Sequence, residues 1–475
     1  MLAHRKEWRS LYDLDALQAM TLPSAALEAM LKVSKARVEL ITDSNGGMEF
    51  MDLVNKNIRG GVSCIFQPFA RANNPKCLHL PPDPFADARG WVTTAELSPH
   101  DVVSMRDAPT SLRAWRKKHG DEPLPQDPYA DKREDDFFLQ RLKEARSGDW
   151  EKVKRGFDDP EALEVFERFC AAHGWDHKEP LSWLIYVDAT SLYPYAMTFP
   201  LPVGGYKKLE VPSFEELDSL MFRYDDLQED GYFVEVSYFI PEQLHDKFDF
   251  APVKSMTVPD ALLSKHTLGV RNKLGCSSGS QKMVPYVGKH EKVLHHIALL
   301  KLWERLGVNI TEIHSLWTFK QTPWMSEFMR QGAARRASSE HEPEREVIKL
   351  CMTSQYGKML QDASKNRNIK PYLNEGLFRL KAAKYGVQDW DVIRMDKDEF
   401  LGLIDTVKSG GAVLKTPRAT GFAILELTKV HMMKVHYDYY KTTYGDKATL
   451  HFTDTDSLIY KIQTETPLLD MIRAG

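Results

Sequence analysis

Near its C-terminal end the chain reads TLHFT-DTD-SLIYKI, and no other stretch constrains the fold as strongly. Both flanks are short, apolar and rich in β-branched or aromatic residues. Too few residues lie between them for anything but a tight antiparallel hairpin. The hairpin calls for an antiparallel sheet and sets Asp454 and Asp456 at an exposed turn. Taken alone, an acidic turn is usually solvated turn chemistry.

Two further segments change that weighting. WLIYVD reads as a strand ending in Asp188, followed by ATSLYPYAM. Pro194 suits the first residue of a helix, where its missing N–H costs nothing. The turn Thr190-Ser191-Leu192-Tyr193 would then offer free backbone N–H groups to a phosphate. The plainer reading, a capping Asp at a strand–helix turn, is commoner for any single instance. PEREVIKLCMTSQYGKML reads as a helix starting near Pro343, with Arg345 and Lys349 four apart on one face. A solvated basic stripe is the plainer reading there. The run continues to Ser354, Tyr356 and Gly357, where an aromatic beside glycine lets a base approach the backbone. Two-metal phosphoryl transfer needs carboxylates holding cations ~3.5–4 Å apart, and cations that clamp a triphosphate. Asp188, Asp454 and Asp456, with Arg345 and Lys349, supply each part.

A chain of 475 residues, 43% hydrophobic and 27% charged, has room for two to four packed domains. The net charge of −4 weighs against a uniformly basic nucleic-acid binder, yet Arg330, Arg335, Arg336, Arg345, Lys349, Lys358, Lys365 and Arg367 cluster locally. No apolar run reaches the ~20 residues of a membrane span, so no membrane partner is expected. No secretory signal is visible at the N-terminus. The five cysteines form no CxxC pair, which fits a reducing compartment; nothing narrows localisation further. Residues 1–78 hold a helical stretch, LPSAALEAMLKV, and a loop-like NIRGGVSCIF. Residues 79–180 read as a charged, mostly helical insertion, 365–415 as loop-rich. GFAILELTKVHMMKVHYDYYKTTYG reads as a helix with one apolar face.

DATSLYP, KLCMTSQYGK and FTDTDS resemble motifs A, B and C of family B DNA polymerases. They occur in the family's order, with 165 positions from Asp188 to Thr353 and 101 from Thr353 to Asp454. IRGGVSCIFQPFARANN is similar to the glycine-pair motif of the protein-primed branch found in viruses, linear plasmids and Polinton-type transposons. The resemblance covers about 45–78 and most of 181–465. It implies an α+β right hand with an antiparallel palm sheet and helical fingers. In those terms, 1–78 is an exonuclease-domain tail and linker, and 181–322 the palm with a primer- and duplex-contacting insertion. Residues 323–364 are then fingers, 365–415 a second insertion and 416–475 the rest of the palm.

By the same resemblance Asp188, Asp454 and Asp456 are catalytic, and Asp188, Asp456 and the Ala189 carbonyl hold two Mg²⁺ ions, with Mn²⁺ as a substitute. Ser191, Leu192, Tyr193 (a steric gate), Arg345, Lys349, Thr353, Tyr356 and Gly357 form the nucleotide site. Arg59, Gly60, Gly61, Lys358 and Lys429 contact DNA. The implied partners are primer-template DNA, dNTPs and a terminal priming protein. Thr353 replaces the motif's usual Asn, keeping one hydrogen-bonding group but losing the amide's paired donor and acceptor. Phe452 keeps an aromatic ring without the usual hydroxyl. No Asp-x-Glu exonuclease motif precedes residue 60, and no thumb motif follows motif C. The expectation is therefore a fragment or split gene, with a separate chain supplying thumb or exonuclease. The competing function is an inactive remnant that only binds nucleic acid.

Overall fold

Runs rich in Val, Ile, Tyr and Phe become strands, because branched and aromatic side chains fit a pleated, half-buried surface. In the computed structural model the described residues are 2–15, 19, 21–42, 44–78, 132–275, 281–361, 368–384, 387–395, 400–406, 416–467 and 470. Their strands begin with β1 (Ser63–Ile65), β2 (Ser182–Asp188), β3 (Leu201–Leu209), β4 (Asp230–Phe239), β5 (Val253–Met256), β6 (Lys282–Pro285) and β7 (His290–His296). They continue with β8 (Asn309–Thr322), β9 (Asn368–Tyr372), β10 (Val387–Met395), β11 (Phe400–Thr406), β12 (Ala448–Asp454) and β13 (Ser457–Gln463). Every pairing among them is antiparallel, and with the intervening helices the fold is α+β, as expected. The chain divides into two compact units, Met1–Val62 with Ala189–Asp438 and Ser63–Asp188 with Tyr439–Gly475. The breaks fall after Val62, Asp188 and Asp438. The strand carrying Asp188 therefore belongs with the C-terminal hairpin.

That second unit holds a four-stranded sheet in the order β1-β12-β13-β2. Leu458, Tyr460 and Ile462 are buried on one face, and Tyr440 stacks on Tyr460 with ring centroids 4.1 Å apart. The register passes from Leu450↔Tyr460 to Phe452↔Ile459, so His451 is an extra residue forming a β-bulge. Because side chains alternate, that one residue flips the faces beyond it. Thr453 is buried, whereas Asp454 is exposed and opposes Ser457, itself buried. The amides of Phe66 and Gln67 donate to the His451 carbonyl at 2.8 and 3.2 Å, satisfying it. The stretch expected as a loop around residue 63 thus contains an edge strand. Asn73 and Asn74 fix the start of β2: the Asn73 N–H donates to Ser182 Oγ and the Asn74 side-chain amide to the Ser182 carbonyl, both at 2.9 Å.

The expected helical insertion is helical where described, in Lys132–Ser147, Trp150–Lys154 and Pro160–His173. Asp149 and Asp159 cap the second and third. Leu78, Leu142, Ala145, Val153, Phe166, Cys170 and Trp175 form a core of their own. Residues 79–131 of that zone lie outside the described residues, as do Cys276, Lys365 and Arg367.

In the first unit, β3, β8, β4 and β7 form a sheet whose aromatic residues pack tightly. Phe50 stacks on Trp317 at 4.5 Å, and Phe233 meets Phe422 at 5.1 Å. The helix Arg418–Lys434 is buried at every residue from Arg418 to Thr428, so it is a central helix with no open polar face there. Several of its polar residues find partners inside the fold. Glu426 accepts from the Lys429 ammonium at 2.8 Å and from His295 Nδ1 at 2.9 Å, and Thr420 donates to the Pro202 carbonyl at 2.8 Å. The zone expected to be loop-rich instead contains a three-stranded sheet, β10-β11-β9, where described. The helix Glu375–Ala382 contributes Phe378, whose ring lies 5.1 Å from Phe400. Residues 362–367 and 407–415 lie outside the described residues. Cys64, Cys77, Cys170 and Cys351 are free thiols, and no described helix is long and apolar enough to cross a membrane.

Burial pushes His290, His296 and His431 down to about 4. Each binds a proton less readily in the folded chain than in the unfolded one, where its pKa is about 6.5. Stability is therefore expected to fall as pH drops from about 6.5 toward 4. The urea midpoint between pH 7 and pH 4.5 measures this, and a flat profile contradicts it. His431→Phe, which keeps a ring against Tyr195 and Phe199, should flatten the decline.

Candidate active site

The sheet of the second unit lines up Ser63, Asp454, Ser457 and Asp188 in one row across β1, β12, β13 and β2. Directly opposed residues share a face, so Asp454 and Asp188 flank Ser457 on the open side. The next row on that face is Ile65, Phe452, Ile459 and Tyr186. Asp188 and Asp454 are exposed and Asp456 is half-buried.

Asp456 sits in the turn itself. Its N–H donates to the Asp454 carbonyl at 2.6 Å, and Thr455 between them has φ of 61°. This is a γ-turn with positive φ at its centre, rare and strained, and more so for a β-branched residue. The Thr453 hydroxyl donates to the Ser457 carbonyl at 3.1 Å and the Ser457 hydroxyl to the Asp454 carbonyl at 3.4 Å, bracing it. Strain of this kind persists only where neighbouring structure over-determines it.

Electrostatics oppose the arrangement. Burial raises the Asp456 pKa, and the charges of Asp188 and Asp454 raise it further. Among the described residues none of the three carboxylates pairs with a Lys, Arg or His. The side-chain bond made to them is from the Tyr186 hydroxyl, which donates to Asp188 Oδ2 at 3.1 Å. No three His, Cys, Asp or Glu side chains among the described residues converge into an ion site by themselves. The like-charge crowding on Asp456 is what a divalent cation would relieve.

The other expected residues belong to the first unit. The helix Leu192–Ala196 starts two residues before Pro194, which becomes its third residue; that position also needs no N–H partner. Ser191 precedes it in the left-handed region, φ 58° and ψ 49°, without a side-chain cap. Leu192 is buried, Ala189 is half-buried, and the Tyr193 ring stacks on Tyr356 at 4.0 Å and 10°. Glu342–Leu360 is one helix, carrying exposed Arg345 and Lys349 on one face. Arg345 contacts Glu342 at 3.3 Å. The Thr353 hydroxyl donates to the Lys349 carbonyl at 2.9 Å, so its proton is committed within the helix. Space beside Gly357 is open, and Lys358 reaches Gln361 at 2.8 Å. Gly60 and Gly61 are exposed, while Arg59 donates to Asn57 Oδ1 at 3.2 Å. Lys429 departs most from expectation: only 14% exposed, its ammonium is held by buried Glu426, which makes it a core counter-ion.

Residues 178–384 match the family described as DNA polymerase type B, organellar and viral. Over that span, less than half of its length, the chain is similar to the type B DNA polymerases. The matched polymerase segment includes Asp188, Tyr193, Arg345, Lys349 and Tyr356 and ends before Asp454 and Asp456. No curated protein matches the chain. Among solved structures, "Phi29 DNA polymerase complexed with primer-template DNA and incoming nucleotide substrates" is similar at 15% identity and a TM-score of 0.33, over 79% of this chain and 55% of that one. The phi29 polymerase complexed with primer-template DNA alone gives 15% and 0.33, over 82% and 57%. Its orthorhombic crystal form gives 14% and 0.33, over 82% and 58%. The chain thus spans little more than half the length of these solved polymerase chains.

Sequence reasoning did not find Tyr186, the His451 bulge, the β1 partner strand or the Asn73–Asn74 clamp. Tyr186 had a usable signal, since residues two apart in a strand share a face. Because the Asp456 charge is disfavoured in the fold, Asp456→Asn should raise stability at pH 7 in EDTA by roughly 0.2–1 kcal/mol, a solvent-screened effect. Urea denaturation should show the gain shrinking on acidification, as the wild-type carboxylate protonates, and on adding Mg²⁺. A loss of stability at pH 7 would contradict the repulsion.

Proposed function

We propose that the chain is a DNA-templated DNA polymerase joining dNTPs to a primer 3′-hydroxyl, in protein-primed replication of a viral or mobile-element genome. The observation that carries this is the set of three carboxylates at one end of an open antiparallel sheet, none with a Lys, Arg or His partner among the described residues. In this reading Asp188 and Asp456, with the Ala189 carbonyl, hold Mg²⁺, and Asp454 supports them. When bound, the two ions activate the attacking hydroxyl and neutralise the triphosphate and leaving pyrophosphate. The chain's own residues orient and select. Arg345 and Lys349, one turn apart and exposed, present cations for a triphosphate. Tyr193, held against Tyr356, fills the place a ribose 2′-hydroxyl would need. Gly357 leaves room beside the helix for a base. Arg59, Gly60, Gly61 and Lys358 are the proposed template and primer contacts. The sheet, the Glu342–Leu360 helix and the strand-rich insertions correspond in this reading to palm, fingers and the elements meeting a priming protein.

Primer extension on a short DNA template with Mg²⁺ and dNTPs is the direct test. Wild type should extend, and Asp456→Asn should lower the rate on the order of a hundredfold or more. DNA binding without extension by wild type would reduce the chain to a binding remnant. Tyr193→Ala should raise ribonucleotide incorporation roughly ten- to a hundredfold, read as the ratio of kcat/KM for rNTP and dNTP. Lys349→Ala should raise the dNTP KM roughly tenfold; unchanged dNTP kinetics would remove Lys349 from the triphosphate site.

A further inference from the structure

β2 is the edge strand of its sheet, and Asp188 is its last residue, exposed and crowded by like charges. A carboxylate so placed has little to fix its orientation. Tyr186, two residues earlier on the same face, supplies the one side-chain donor among the described residues: its hydroxyl lies 3.1 Å from Asp188 Oδ2. The ring is 61% exposed and lies in the row with Ile459, so this bond is its principal polar engagement. Donation to Oδ2 engages that oxygen and leaves Oδ1 to face a ligand.

Building on the polymerase reading above, we infer that Tyr186 is a positioning residue that orients Asp188 toward a divalent cation. It donates to a carboxylate that itself meets the ion, the outer arrangement that tunes many metal sites. At 3.1 Å the bond is long for a charged acceptor, so its effect is moderate.

The test uses the full chain without DNA or nucleotide, with Mn²⁺ binding read from the electron paramagnetic resonance signal of free Mn²⁺. Tyr186→Phe should weaken Mn²⁺ binding roughly three- to tenfold and Asp188→Asn should weaken it further. In primer extension, Tyr186→Phe should raise the half-saturating Mg²⁺ by a similar factor while the dNTP KM at saturating Mg²⁺ stays unchanged. The melting temperature in EDTA should also be unchanged, since the tyrosine ring is largely exposed. Unaltered Mn²⁺ affinity in Tyr186→Phe, with affinity lost in Asp188→Asn, overturns the role of Tyr186 and leaves the cation site standing. Unaltered affinity in both overturns the cation site and the positioning role together. A lowered melting temperature in EDTA with equal loss at all metal concentrations makes Tyr186 merely structural, which also overturns the inference.

Discussion

One backbone irregularity, the bulge at His451, decides what the acidic hairpin can do. A strand's side chains alternate strictly, so a regular β12 would put Asp454 on the same face as buried Leu450. An ionised carboxylate there would face the packed side, where desolvation penalises it heavily. The inserted residue reverses the alternation and aligns Asp454 with Ser457 and Asp188. The carbonyl it frees is taken up by the amides of Phe66 and Gln67, which ties β1 to the same device. Bulges recur beside functional sites because they re-aim a side chain without rebuilding a sheet.

The turn that follows is costly in two currencies. Thr455 carries a positive φ that its branched side chain disfavours, and Asp456 carries a charge that burial, Asp188 and Asp454 all disfavour. Neither term is returned by a contact within the protein: the braces from Thr453 and Ser457 hold the turn without supplying a cation. A hairpin selected for stability alone would accept Asn-Gly here and keep its strands. Costs concentrated on one turn are what the proposed cation site would offset.

Much of this was legible in the residues, and the parts that were not share a physical reason. The hairpin, the strand ending at Asp188 and the helix of Arg345 and Lys349 follow from composition and period, which are local properties. The bulge was invisible because it depends on pairing between strands, and β1 because its three residues gain strand geometry only from β12. The helix Arg418–Lys434 was read as one-faced because its polar residues suggested solvent. Arg418, Thr420, Glu426 and Thr428 are instead buried, and partners far away in sequence satisfy Glu426 and Thr420. The same blindness placed Lys429 among the DNA contacts: sequence gives a lysine its charge, and only the fold reveals its counter-ion.

Lys429's partner also offers the sharpest contrast with the carboxylate row. Burial pushes both Glu426 and Asp456 toward the neutral form. For Glu426, Lys429 and His295 outweigh burial and hold the carboxyl below its usual range. His295, itself lowered chiefly by burial, lies 2.9 Å from Glu426 through Nδ1 and adds to the pull of Lys429. For Asp456 the neighbouring carboxylates act in the same direction as burial, and among the described residues only a backbone N–H opposes them. Two acidic residues in one chain thus shift oppositely under the same desolvation, and the sign follows from whether the compensating charge was built into the fold. Removing Lys429 would strand a buried charge, whereas removing Asp456 relieves one. That asymmetry separates a carboxylate whose charge the fold compensates from one whose charge the described residues leave uncompensated.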